Sequence, residues 1–183
     1  MKRSFALLFA LILITGLVAC GGDAETPAPV ENPDEDSNDV IVNSSGDLFE
    51  GDNWSMEIAE GWTIMEVMGF TVLAAPGGDG SNVNVVVESM QGMSLDDYIE
   101  ASLDMIETVF SGVEITSSEH IYVNGKNAMF VAYTSDFPGV HTTYQVTVEA
   151  GGMAYIITYT RMGETDYLDE VFTMLETFVV VSK

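Results

Sequence analysis

The chain has 183 residues, of which 29 are acidic and 5 basic, for a formal net charge of −24 with neutral histidines. A field of that sign repels phosphate backbones and anionic lipid head groups, which excludes nucleic acid as a partner and favours cations or a basic protein. The single cysteine allows no intramolecular disulfide, so a packed core must hold the fold together.

Residues 1–19 open with a basic tip, Lys2 and Arg3, followed by an apolar run from Phe5 to Val18 and then small Ala19. That order predicts a secretory signal peptide, because the apolar run is too short for a permanent transmembrane helix. Leu17-Val18-Ala19-Cys20 resembles a bacterial lipobox. The resemblance implies cleavage before Cys20 and lipidation of its thiol by a diacylglyceryl group. Two acyl chains, each gaining about 0.8 kcal/mol per buried CH₂, hold a protein to a bilayer where one does not. The expected location is therefore the extracytoplasmic face of a cell membrane, with the membrane contacted through the lipid on Cys20.

Residues 20–47 are acidic, contain Pro27, Pro29 and Pro33, and carry no basic residue. One-signed charge with little apolar content predicts a flexible, extended tether. Within it Asp34, Asp36 and Asn38 echo the start of an EF-hand loop, but Asp39 stands where the turn glycine belongs and Ser45 where the bidentate Glu belongs. The segment reads as tether and not as a calcium loop.

Residues 48–183 are the expected globular domain. Trp54, Met56 and Ile58 alternate, Glu60-Gly61 turns, Trp62 and Ile64 begin a second strand, and Phe70 to Ala75 a third, before the breaker Pro76-Gly77-Gly78. Asn82 to Glu88 follows with Val83, Val85 and Val87 on one side. Such a run of hairpins predicts an antiparallel sheet.

Ser94 opens a helix with Asp97 as capping partner, and Leu95, Tyr98, Ile99, Leu103, Ile106, Val109 and Phe110 form its apolar stripe. Asn124-Gly125 is a two-residue hairpin turn that pairs Tyr122 with Asn127 and His120 with Met129. Gly151-Gly152 likewise pairs Val148 with Tyr155, Val146 with Ile157 and Tyr144 with Tyr159. The opposite face of that hairpin receives Thr143, Gln145, Thr147 and Glu149, which predicts a sheet with one buried and one wet side. A last helix starts near Thr165 or Asp166, and Val179 to Val181 add a short strand.

Chemistry is sparse in this sequence. Once Cys20 is acylated no thiol remains, and His120 and His141 are the only histidines, neither within a G-x-S-x-G frame. No catalytic residues are assigned, and the chain is not expected to be an enzyme. No H-x-x-x-H or C-x-x-C spacing marks a metal site, so neither metal ligands nor a cofactor are assigned. Met65 with Met68 and Met90 with Met93 offer thioethers suited to Cu⁺, yet such residues more often fill core gaps. Gly77-Gly78-Asp79-Gly80 lacks the Lys-Ser/Thr ending of a P-loop and reads as a turn.

The phrases NWSMEIAEGWT, NVNVVVESM, MSLDDYIEASLDMIETVF, VNGKNAMFVAYTSDF and TYQVTVEAGGMAYIITYT, in that order, resemble the PsbP-like family. The resemblance implies an α+β fold, a central antiparallel β-sheet flanked by helices in an α/β/α sandwich. It also implies a non-enzymatic accessory or binding module. The resulting expectation is a membrane-anchored lipoprotein that binds a protein partner, with Ca²⁺ or Cu⁺ binding as the alternative.

Overall fold

The structure, a computed structural model, describes residues 41–42 and 47–181, except Met68. Its strands are β1 (Ile41–Val42), β2 (Leu48–Gly51), β3 (Trp54–Glu57), β4 (Thr63–Val67), β5 (Phe70–Ala74), β6 (Asn82–Ser89), β7 (Glu114–Val123), β8 (Lys126–Thr134), β9 (Thr142–Ala150), β10 (Met153–Arg161) and β11 (Val179–Val180). The helices are α1 (Leu95–Val109) and α2 (Leu168–Glu176). One sheet has eight strands in the order β1-β4-β5-β6-β10-β9-β8-β7, and a second has three in the order β11-β3-β2. Every pairing is antiparallel. The class is thus α+β.

The two glycine turns set the registers expected of them. Asn124 and Gly125 both adopt positive φ, 47° and 74°, as a tight hairpin turn requires. Tyr122 faces Asn127 and His120 faces Met129 across that turn. Across Gly151-Gly152, Val148, Val146 and Tyr144 face Tyr155, Ile157 and Tyr159. Ser94 caps α1, its Oγ accepting from the Asp97 backbone N–H at 3.2 Å while its hydroxyl donates to Asp97 Oδ2 at 2.7 Å.

Three features differ from the local pattern. First, β3 does not pair with β4. The chain turns at Glu60-Gly61 with the Trp62 N–H donating to the Ala59 carbonyl at 3.2 Å, and Trp62 is driven fully into the core. That crossing carries β3 into the small sheet, where β11 supplies its second neighbour from the far end of the chain. Second, helix cover is modest. The nine-residue α2 begins at Leu168, later than the sequence suggests, and shares its face of the large sheet with the three-stranded sheet. Third, the face expected to be wet is largely buried, with Thr143, Gln145, Thr147 and Thr158 all inside.

The large sheet therefore carries a core on each side. One joins Trp54, Met56 and Trp62 to Leu73, Val146, Ile157, Leu175 and Phe178. The other packs Leu95, Tyr98, Ile99 and Ile106 of α1 on Met129, Val131, Ala154 and Ile156. Ile41–Val42, inside the stretch read as tether, pairs with Ile64 and Thr63 of β4. Cys20 and the EF-hand-like Asp34, Asp36 and Asn38 lie outside the described residues.

A polar-floored cavity as candidate binding site

Strand alternation places polar side chains in rows across the large sheet on its α1 side. Asn84 of β6 faces Thr158 of β10, which faces Gln145 of β9. One step along, Asn82 faces Thr160, Thr160 faces Thr143, and Thr143 faces Tyr133 of β8. The apolar stripe of α1 covers the neighbouring row, where Met129 and Ile156 sit, and Val131 beside Gln145, but the helix ends at Val109. Beyond its end Phe110 and Phe137 meet edge to face, ring centroids 5.8 Å apart.

Between these rings and the polar rows lies a partly open cavity of about 340 Å³. Asn84, Tyr133, Thr143 and Thr158 belong to its floor, and Val67, Phe70 and Val72 of the β4–β5 ribbon form one wall. The cavity also reaches Phe49, Gly51 and Trp54 of the small sheet. It can do so because β5 and β6 pair only at Leu73 with Val83 and Ala74 with Asn82, then part company. Gly51 faces Trp54 in the register, and a Cβ there would collide with the indole, so glycine keeps that ring in place.

Several floor groups are unusual in having no partner. Asn84 Oδ1, Tyr133 Oη and Thr158 Oγ1 are buried without a hydrogen bond within the protein. Tyr133 and Thr158 are each 1% exposed. Buried hydroxyls and amides are nearly always paired, and leaving one unpaired costs about 1–3 kcal/mol. Burial pushes the Tyr133 hydroxyl well above the usual tyrosine range, so it stays neutral. Thr143 beside it works against the rise without reaching hydrogen-bond geometry. The lining contains one carboxylate, the exposed Glu50, and no basic side chain.

The residues with chemistry suggested by sequence do not gather there. His120 is exposed on β7, its Nε2 3.0 Å from Asp96 Oδ1 in the first turn of α1, an ion pair when the ring is protonated. His141 is exposed just before β9. His120 is level with Thr147, since Met129 faces both, and His141 precedes Thr147 by six residues. At roughly 3.4 Å per residue the histidines are about 20 Å apart along the strands and two strands apart across them. They do not share a site.

Met90 is buried and Met93 packs beside it in the α1-side core, while Met65 is partly buried on β4. Met68 lies outside the described residues. Among the described residues no group of three or more His, Cys, Asp or Glu is arranged to hold a metal ion. Gly77 to Gly80 form a turn closed by the Ser81 N–H donating to Asp79 Oδ1 at 2.8 Å. Asp96, Asp97, Glu100, Asp104 and Glu107 line the solvent face of α1.

Antiparallel strand order, the helix on one sheet face, and a second helix with a short sheet on the other define a class: this is a PsbP-like fold. The solution structure of cyanobacterial PsbP (CyanoP) from Synechocystis sp. PCC 6803 matches with a TM-score of 0.55 at 15% identity, over 75% of this chain and 94% of that one. The crystal structure of PA94 from Pseudomonas aeruginosa, a protein of unknown function, matches with a TM-score of 0.54 at 19% identity, over 77% of this chain and all of that one. No family model matches the chain, and no match is found among curated proteins. At such identities the likeness is one of fold, and function has to be argued from this chain's own residues.

Proposed function

We propose that the chain is a lipoprotein held at the extracytoplasmic face of a cell membrane through Cys20, and that its domain is a non-enzymatic binding module for a basic protein partner. The observation that carries this reading is the one-signed surface beside α1. The helix presents Asp96, Asp97, Glu100, Asp104 and Glu107 to solvent, and no basic residue stands between Leu95 and Val109 to offset them. The exposed His120 of β7 lies against Asp96. Such a surface raises the encounter rate of a positively charged protein, and the wide separation of the histidines supports binding over turnover.

The test is site-specific photo-crosslinking in membranes from positions 100, 104 and 107, with position 60 as a remote control. The expected product is one identified protein of high isoelectric point, trapped from the three acidic-face positions and lost in 1 M salt, where the Debye length is about 3 Å. Equal trapping from position 60, or trapping indifferent to salt, rejects the proposal.

A further inference from the structure

The cavity at the end of α1 is built for something other than the acidic docking face. Its floor holds three polar atoms that the protein leaves unpaired, Asn84 Oδ1, Tyr133 Oη and Thr158 Oγ1, yet aromatic and aliphatic side chains make up most of its wall. Its volume, about 340 Å³, falls at the lower end of small-molecule pockets. We propose that this cavity binds a neutral small molecule with an apolar body and one amide-like or alcohol-like group directed at Asn84, Tyr133 and Thr158.

Each part of that description follows from the lining. The apolar body matches Phe70, Phe110, Phe137 and Val72, whose burial against a ligand gains about 25 cal/mol per Å² of apolar surface. An anion finds no basic side chain in the lining and a strongly negative protein around it. A cation finds only Glu50, exposed at the rim, and no counter-charge at the floor, where an unpaired buried charge is costly. A neutral group that both donates and accepts suits the floor, because Asn84 Oδ1 needs a donor while the two hydroxyls serve either way. All three atoms are covered in this conformation. A ligand therefore reaches them through a small side-chain rotation, for which the adjoining cavity leaves room. The parting of β5 from β6 beyond Leu73 and Val83 leaves that wall of the pocket without ladder hydrogen bonds to β6.

The test uses five ring compounds of nearly equal size: toluene, benzyl alcohol, benzamide, benzoate and benzylammonium. Each is titrated to about 10 mM, the weakest affinity expected of fragments this small, into the chain from residue 20 carrying Cys20→Ser. Amide chemical shifts give site and affinity. Benzamide and benzyl alcohol are expected to shift the amides of residues 84, 133 and 158 and to bind about fivefold more tightly than toluene. Benzoate and benzylammonium are expected to bind more weakly than toluene. Tyr133→Phe and Thr158→Val should each weaken benzamide about fivefold and leave toluene unchanged, with a melting temperature no lower than the parent's. Polar and apolar probes binding alike, before and after these substitutions, would mean that water alone satisfies the floor, and the proposal would be wrong. Tighter binding of either ion, shifts confined to another surface, or no shift at all would equally overturn it.

Discussion

Asn124 and Phe178 are tied together across 54 positions, the Asn124 side-chain amide donating to the Phe178 carbonyl at 2.8 Å. One residue thus supplies a left-handed turn conformation for the β7–β8 hairpin and a tether for the segment leading into β11. Phe178 is buried, and its ring packs on Trp54 and Tyr155, with centroids 6.0 Å from each.

The two roles of Asn124 separate by substitution. Asn124→Gly keeps the turn conformation and loses the hydrogen bond, and it is expected to cost about 1 kcal/mol. Asn124→Ala also places a Cβ at positive φ and should cost about 2 kcal/mol. Urea unfolding reads both values. Equal losses in the two variants would show that the backbone conformation contributes nothing separable.

Alkaline solution should unfold the domain through its buried tyrosines. Burial raises Tyr98, Tyr133 and Tyr159, the last from the ordinary 10.0 to about 12. Tyr98 also donates to Glu88, whose charge adds to the rise. A raised folded-state pKa means that the stabilisation is complete below the unfolded value near pH 10 and is lost as pH climbs through about 12. The urea midpoint should hold steady to about pH 9.5 and then fall. Tyr133→Phe should flatten the fall, because that position then has no proton to lose. An identical slope in wild type and variant would count against Tyr133 as a contributor.

Replacing Cys20 tests the anchor directly. Cys20→Ser is expected to release the protein from the membrane fraction or to leave the uncleaved precursor, because among the described residues no helix is long and apolar enough to cross a bilayer. Fractionation followed by intact mass of the wild-type protein reads the outcome. A wild-type mass without the diacylglyceryl addition, or a processed variant that stays with membranes in high salt, rejects the lipid at Cys20.

Local pattern revealed the hairpins because their turns encode φ > 0 through Asn and Gly, which fixes register without knowledge of the rest. It revealed α1 for a similar reason, the cap and stripe lying within one helix length. It missed the small sheet, whose central strand β3 borrows a neighbour from more than 120 residues away. The cavity lies on a face whose burial the local pattern does not show. Thr143, Gln145 and Thr147 alternate as a solvent-facing row would, but Met129, Val131, Ile156 and Val86 share that face on the neighbouring strands. Apolar residues recurring on a nominally polar face are the signal for a second core, and α1 is what covers it. Unpaired Tyr133 and Thr158 had no signal of their own, because pairing is a property of the assembled rows.

The large sheet has a seam. β6 and β10 are joined at eight register positions, while β5 and β6 are joined at two. On one side of the seam stand β1, β4 and β5, which give Leu73 and Ile64 to one core, and on the other the strands that contribute to both cores. The outer ribbon should therefore breathe as a unit, at a free-energy cost below that of global unfolding, and hydrogen exchange would see it as a group of β4 and β5 amides with shared, low protection. If the ribbon does open there, entry to the interior needs no dedicated lid, because the sparse β5–β6 joint would be its door.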